Sequence, residues 1–261
     1  MVSTYTYDHG WEEELIRLRG LEVALDPGTR QHLLHLGVGP GSRCLEIGAG
    51  AGGIACWLAE QVAPDGIVVA TDLETDFLAV EAARYPTLQV IQHDLMADDL
   101  PGGFDVVHAR YLVEWLPDKA LALRHMVSAL RPGGALLDEE PDFVTIFETP
   151  EASAVRRVML AAMRYLESTC PVDTQYGRRL VNDLVAAGLK DVEAEARAPI
   201  VRGASPPAAH FLRLTIEKLR EPLIAEHRVN HAELDDVVAI LQDPAVTVMF
   251  PLTVAAWGRH T

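Results

Sequence analysis

Three acidic residues stand at or near the ends of three successive apolar runs in the first part of this chain, and a run of glycines follows the first of them. Glu46 sits in Cys44-Leu45-Glu46-Ile47, Asp72 ends Ile67-Val68-Val69-Ala70-Thr71-Asp72, and Asp94 ends Leu88-Gln89-Val90-Ile91-Gln92-His93-Asp94. Gly48, Ala49, Gly50 and Gly52 make a turn that can bend sharply and approach a ligand with no Cβ in the way. The helix expected behind it presents unpaired N–H groups to a polar or anionic ligand. A carboxylate at the end of the second run can accept from both hydroxyls of a ribose. The chemistry indicated is the holding of a nucleoside-like ligand. Gly48, Gly50 and Gly53 also satisfy G-x-G-x-x-G, a dinucleotide signal that is weak by itself.

The motifs continue in order. Phe104-Asp105-Val106-Val107-His108-Ala109-Arg110 reads as a fourth strand, and Leu130-Arg131-Pro132-Gly133-Gly134-Ala135-Leu136-Leu137 as a turn into a fifth. Together they resemble the class I S-adenosylmethionine-dependent methyltransferases, of the small-molecule type. The resemblance is strong over residues 36–142 and loose elsewhere. It implies S-adenosylmethionine as cofactor, with Glu46, Gly48, Ala49, Gly50 and Gly52 against its amino-acid part. It implies Asp72 on the ribose hydroxyls, Leu73 near the adenine, Asp94 at the adenine amine and Leu95 at its ring. Ala109 and Arg110 would face the methionyl portion, and Tyr7 is added to the cofactor set. The implied reaction is O-, N- or C-methylation of a small molecule, in specialised metabolism.

Proton-transfer candidates are His9, Glu114 and Glu140. His9 titrates near neutrality and could deprotonate a hydroxyl or an amine. Glu139, Glu140 and Asp142 put three acids in four positions beside apolar residues, a setting that raises carboxyl pKa values when buried; a solvated acidic loop is the plainer reading. Tyr5, Tyr7, His9 and Trp11 form a polar-aromatic cluster, and Tyr5, Trp11, Tyr111 and Trp115 are candidate acceptor contacts. His210, Phe211 and Leu214 join them if the helices at 151–167 and 207–223 form a lid; ordinary core cover is the alternative.

Two other function classes compete. A nicotinamide-dependent oxidoreductase shares the half-fold, yet the short-chain type would carry a Tyr four residues before a Lys. The lysines are Lys119, Lys190 and Lys218, preceded at that distance by Trp115, Ala186 and Leu214. A methyltransferase fold with a non-methylating activity stays open. The net charge of −16 argues against nucleic-acid and anionic-membrane partners. Three cysteines without a C-x-x-C suit a reducing cytoplasm. No metal signature accompanies the ten histidines. A homodimer is left open.

The elements that must position these residues follow from periodicity. A helix is expected over Trp11–Leu25, and a second begins at Asp26-Pro27, since proline suits a first helical position. Strands at 43–47, 67–72, 88–93, 104–109 and 134–139 alternate with helices at 52–63, 76–84 and 118–130. That rhythm means a Rossmann-like, doubly wound α/β sheet covered on both faces. Helices are expected at 151–167, 176–187, 207–223 and 232–241, and a sixth strand over 191–201. The last run, Val246–Trp257, is broken by Pro251 and fits an edge strand. The resemblance makes it the antiparallel last strand, entering the sheet beside the fifth. The expected organisation is an N-terminal helical segment closing over the site (1–36), a cofactor-binding core (37–142), and the rest of the sheet with the lid helices (143–261), all in one domain.

Overall fold

The computed structural model describes residues 10, 12–147, 153–203 and 207–261. The chain forms two compact units that interleave along the sequence. Residues 26–140, 176–196 and 254–261 make a sheet unit; residues 1–25, 141–175 and 197–253 make a helical unit. Where the sequence groups 143–261 together, residues 176–196 and 254–261 pack with the sheet.

The sheet strands are β1 (Arg43–Ile47), β2 (Ile67–Asp72), β3 (Leu88–Gln92), β4 (Phe104–Arg110), β5 (Leu130–Asp142), β6 (Lys190–Arg197) and β9 (Leu252–Arg259). They lie in the order β3-β2-β1-β4-β5-β9-β6. The first five are parallel neighbours. The last, β9, runs antiparallel, with the Gly133 N–H on the His260 carbonyl and the His260 N–H on Gly134. This is the seven-stranded Rossmann-like arrangement expected. Its helices include α2 (Gly53–Val62), α3 (Asp76–Ala82), α4 (Lys119–Ser128) and α7 (Gly177–Ala186).

Burial explains the sheet. Four of the five β1 residues and most of β4 are buried, as a strand covered on both faces requires. One core, around Leu45, Val107, Leu136, Tyr176 and Leu180, lies on one face. The other, around Cys44, Leu58, Ala70, Val106 and Leu137, lies on the opposite face. Alternation along each strand assigns neighbouring residues to opposite cores. Truncating Leu45 or Leu136, both 0 % exposed, to alanine would cost about 2–5 kcal/mol.

Four boundaries differ from the sequence reading. Helix α1 (Glu14–His35) runs straight through Asp26-Pro27. Asp26 is not a cap: its carboxylate holds Arg110 at 2.9 Å and Arg30 at 3.1 Å, contacts that override the local proline signal. The helix expected at 207–223 is split into α8 (Ala208–Lys218) and α9 (Arg220–Ala225). Pro222 accounts for the break, since its ring collides with the carbonyl four residues back, at Lys218. The sixth strand is divided at Pro199 into β6 and β7 (Ile200–Arg202), and β7 pairs antiparallel with β8 (Thr247–Met249) in the helical unit. Finally, β9 lies beside β5, as the resemblance implies, but between it and β6 rather than at the edge that Pro251 suggests. Pro251 precedes its first residue, so no ladder bond is lost.

The helical unit holds α5 (Val144–Phe147), α6 (Ser153–Thr169), α8, α9, α10 (His231–Gln242) and the β7–β8 pair. Asn230 and Glu233 close a reciprocal capping box on α10.

Candidate functional site

At the carboxyl end of β1 the chain leaves the sheet through the glycine turn. The N–H groups of Gly48 and Ala49 donate to the Thr71 carbonyl at 2.8 and 3.0 Å. Asp72 braces the turn: Oδ2 accepts from the Gly50 N–H at 2.8 Å, Oδ1 from the Glu74 N–H at 3.1 Å. Gly48 has φ +70, and a Cβ there would meet the Leu112 side chain at 3.2 Å. Gly52, with φ +89, caps α2, and its Cβ would fall 2.6 Å from Leu78. Both positions favour glycine by conformation, and a Cβ would also press on the Leu112 or Leu78 side chain. Leu73 is 47 % exposed beside Asp72. Asp94 accepts from the Met96 N–H at 2.9 Å and is half-buried, whereas Leu95 is buried in the core.

The parallel register sets Glu46 beside His108, and Arg110 beside Glu139. His108 Nδ1 lies 2.6 Å from Glu46 Oε2, and its Nε2 lies 3.4 Å from Glu139 Oε2. Glu139 Oε1 meets His32 Nδ1 at 3.0 Å, and the Thr29 hydroxyl donates to Glu139 Oε2. Arg110 donates to Thr29 Oγ1 at 2.8 Å and pairs with Asp26. Burial pulls His108 toward neutrality, but the Glu46 and Glu139 carboxylates outweigh it and push it up to about 9. His32 follows the same balance and is raised, with Glu139 and Glu195 offsetting its burial. Burial pushes Glu139 up, and this is overcome by His108, His32 and Arg110, which hold it far below the usual carboxylate range.

The other face of β5 is different. Asp138 and Glu140 are both 0 % exposed. Glu140 Oε1 accepts from the N–H groups of Leu112 at 3.1 Å and Val113 at 2.8 Å, and Oε2 from Glu114 at 3.0 Å. Burial nevertheless raises Glu140 to about 7, and it raises Asp138 as well. The turn that Glu140 holds begins at Tyr111, whose φ of 54 is left-handed and whose N–H donates to the Glu139 carbonyl at 2.9 Å. A residue with a Cβ is strained there. Glu114 is buried and Trp115 half-buried.

The structure thus gathers Glu46, Gly48, Ala49, Gly50, Gly52, Asp72, Leu73, Asp94, Leu95, Ala109, Arg110, Tyr111, Glu114, Trp115 and Glu140 in one unit, around the strand ends. Ala109 is fully buried between Ile47 and Asp138. Glu139, Glu140 and Asp142 do not form a solvated loop: β5 continues through Asp142, and all three are buried. His210, Phe211 and Leu214 belong to the helical unit, where Phe211 packs on Phe250 at 5.2 Å and Leu214 is fully buried. Tyr5, Tyr7, His9 and Trp11 lie outside the described residues. Among the described residues no group of three His, Cys, Asp or Glu is arranged to hold a metal ion, and no helix is long and apolar enough to cross a membrane. The sequence reading missed His108, Asp138 and Tyr176. A histidine inside the apolar run 104–109 was the available signal for the first.

The glycine turn at the end of β1, with Gly48, Gly50 and Gly52 at positive φ and Asp72 beside it, fits a nucleoside cofactor. Asp72 retains acceptor capacity beyond its two N–H bonds. A family model for a methyltransferase domain matches residues 45–136. Methyltransferase str2 of Strobilurus tenacellus is 29% identical over 173 residues, 65% of this chain and 61% of that protein. Methyltransferase str3 of the same fungus is 27% identical over 229 residues, 85% of this chain and 79% of its own length. Among solved structures, phosphoethanolamine N-methyltransferase 2 of Haemonchus contortus, in complex with phosphomonomethylethanolamine and S-adenosylhomocysteine, superposes with a TM-score of 0.62. It is 17% identical, and the match covers 100% of this chain and 61% of that one. The fold and the braced glycine turn define a Rossmann-like nucleoside-binding protein. Residues 45–136 match a methyltransferase domain, and the chain is similar over most of its length to methyltransferases.

Proposed function

We propose that this methyltransferase uses S-adenosylmethionine to methylate a small-molecule acceptor, in specialised metabolism. The observation that carries the reading is the glycine turn tied to Asp72 through the Gly50 N–H. Bound there, the cofactor supplies an electrophilic methyl group. Asp72 then takes the ribose hydroxyls while Leu73 offers an exposed apolar surface to the adenine. Asp94 and Leu95 complete the base site. Glu46, with Oε2 fixed by His108, holds the ammonium group, and Ala109 and Arg110 border the methionyl portion.

Methyl transfer needs an approach of about 3–3.5 Å in line with the breaking bond, so positioning supplies much of the rate. Tyr111, Glu114 and Trp115 are the proposed acceptor side, with Tyr5, Tyr7, His9 and Trp11 contributing from the N-terminal segment and His9 as proton acceptor. Phe211 and Leu214 have apolar surroundings of their own in the helical unit, which weakens their claim to line the acceptor site. Glu140 spends both carboxylate oxygens on backbone N–H groups, which supports a holding role for it. The net charge of −16 supports a small molecule over nucleic acid as acceptor. Free thiols at Cys44, Cys56 and Cys170 support a cytoplasmic setting.

Calorimetric titration with S-adenosylhomocysteine and with NADH tests the cofactor. Micromolar binding of the former, about the range of ordinary KM values, is expected, and tight NADH binding without it overturns the reading. Incubation with methyl-labelled S-adenosylmethionine and a panel of small aromatic acceptors then reads out transfer.

A further inference from the structure

Asp138 is 0 % exposed, and neither of its carboxyl oxygens makes a well-formed hydrogen bond among the described residues, the Glu139 N–H being the backbone donor that bears on it. A carboxylate left in that state would lack both water and hydrogen bonds, a costly condition that the group escapes by keeping its proton. Two residues along the same face of β5 stands Glu140, whose oxygens accept from three consecutive backbone N–H groups of the Leu112–Glu114 turn. Those donors favour the ionised form of Glu140. One acid of the pair thus has every reason to hold a proton, and the other to accept one.

We infer that Asp138 is a proton-bearing positioning residue: its carboxylic O–H donates to Glu140 and completes the hydrogen-bond set with which Glu140 clamps the Tyr111–Trp115 turn against the glycine loop. The clamp reaches the loop through Leu112, whose side chain occupies the space that a Cβ on Gly48 would need, at 3.2 Å. Backbone strain at Tyr111, φ 54, needs such an anchor to persist. Burial holds both Asp138 and Glu140 above the usual carboxylate range, and only Glu140 has backbone N–H donors that offset it. The other ionisable groups around the pair are Glu114 in the turn, Glu139 toward the opposite face, and Tyr176 with Asp183 on α7. Lys119 on α4 and Arg179 on α7 stand over the Tyr176 ring at 5.6 and 5.5 Å. The clamp's effect on the cofactor loop rests on the methyltransferase reading; the clamp itself does not.

Two variants of the full-length protein separate donor from acid. Asp138→Asn keeps an N–H donor for Glu140 and cannot titrate, whereas Asp138→Leu removes the donor. The readouts are hydrogen exchange of the peptide covering residues 111–116, corrected for intrinsic rate at each pH, and calorimetric titration with S-adenosylhomocysteine. In Asp138→Leu the turn amides should exchange about tenfold faster and S-adenosylhomocysteine should bind about fivefold more weakly. Asp138→Asn should stay within about twofold of the parent on both. Protection in the parent should fall once alkaline pH removes the Asp138 proton, and that fall should be absent in Asp138→Asn. If Asp138→Leu does not fold, the pH comparison between parent and Asp138→Asn decides alone. An Asn variant as damaged as Leu, or one that keeps the parent's pH dependence, overturns the inference. A parent that does not bind S-adenosylhomocysteine defeats the cofactor reading, while the exchange measurements still decide the clamp.

Discussion

On one face of β5, Glu139 lies between His108 and His32 with Arg110 nearby; on the other, Asp138 and Glu140 lie among apolar side chains and backbone N–H groups. Three consecutive acids, equally buried, are thereby driven in opposite directions. Glu139 stays charged because cations and a hydroxyl reach it from α1 and β4. Its neighbours are raised by burial, and no cation among the described residues is paired with either. Alternation along a strand is enough to produce both outcomes: burial prevails on the side of the sheet where no cation answers it and is overcome on the side where cations do.

The largest test removes the cation on the charged face. His108→Leu leaves Glu46 and Glu139 buried without their shared partner and should cost about 3–5 kcal/mol in urea unfolding. Equal costs for His108→Leu and Asp138→Leu would erase the contrast between the faces. Asp72→Ala lies outside both faces and serves as the control. It should weaken S-adenosylhomocysteine by about 2–3 kcal/mol in calorimetry, through loss of charge-assisted bonds to the turn and to the ribose, with the pH dependence of stability intact.

That pH dependence sharpens the comparison by sign. Glu140 is raised from 4.5 to about 7, so its contribution is full below 4.5 and is lost as pH rises through about 7. His108 is raised from 6.5 to about 9, so its contribution is full below 6.5 and is lost through about 9. Glu139 is depressed, so its contribution is present above 4.5 and is lost only in strong acid. Thermal melts across pH should therefore show two alkaline losses. His108→Gln should remove the upper loss and leave the lower, which belongs to Glu140; disappearance of both in that one variant would break the assignment. Smallest of all, Thr29→Val deletes the hydroxyl that links Arg110 to Glu139 and should cost about 1 kcal/mol in the same melts.

Much of this was legible in the sequence. The glycine turn and the acids at 46, 72 and 94 carry local signals, turn chemistry and strand ends, that need no distant partner. The faces of β5 carry none. Asp138-Glu139-Glu140 interrupts an apolar run and so reads as its end, because the residues that make three buried acids tolerable come from α1, β4 and the turn after it. Asp26-Pro27 misled for the same reason: Arg110, eighty-four positions away, outweighed a local helix-start signal. His108 hid inside a strand pattern that scores it as one polar interruption. The glycine loop was readable because its constraint lies in its own backbone.

The strand order has a consequence for how the molecule comes to exist. β9 fills the gap between β5 and β6, so β6 has no place in the sheet until residues 252–259 have been synthesised. The half from β3 to β5 joins mostly near neighbours in sequence and can assemble early, whereas β5 must wait for a partner more than a hundred residues later. Such a closure carries a large loop-entropy cost before any pairing energy returns. Until it happens, the open edge of β5 offers unpaired N–H and C=O groups to any passing strand. The sheet is therefore complete only once its last strand has paired with β5 and given β6 a neighbour, and until then the β5 edge stays open to mispairing.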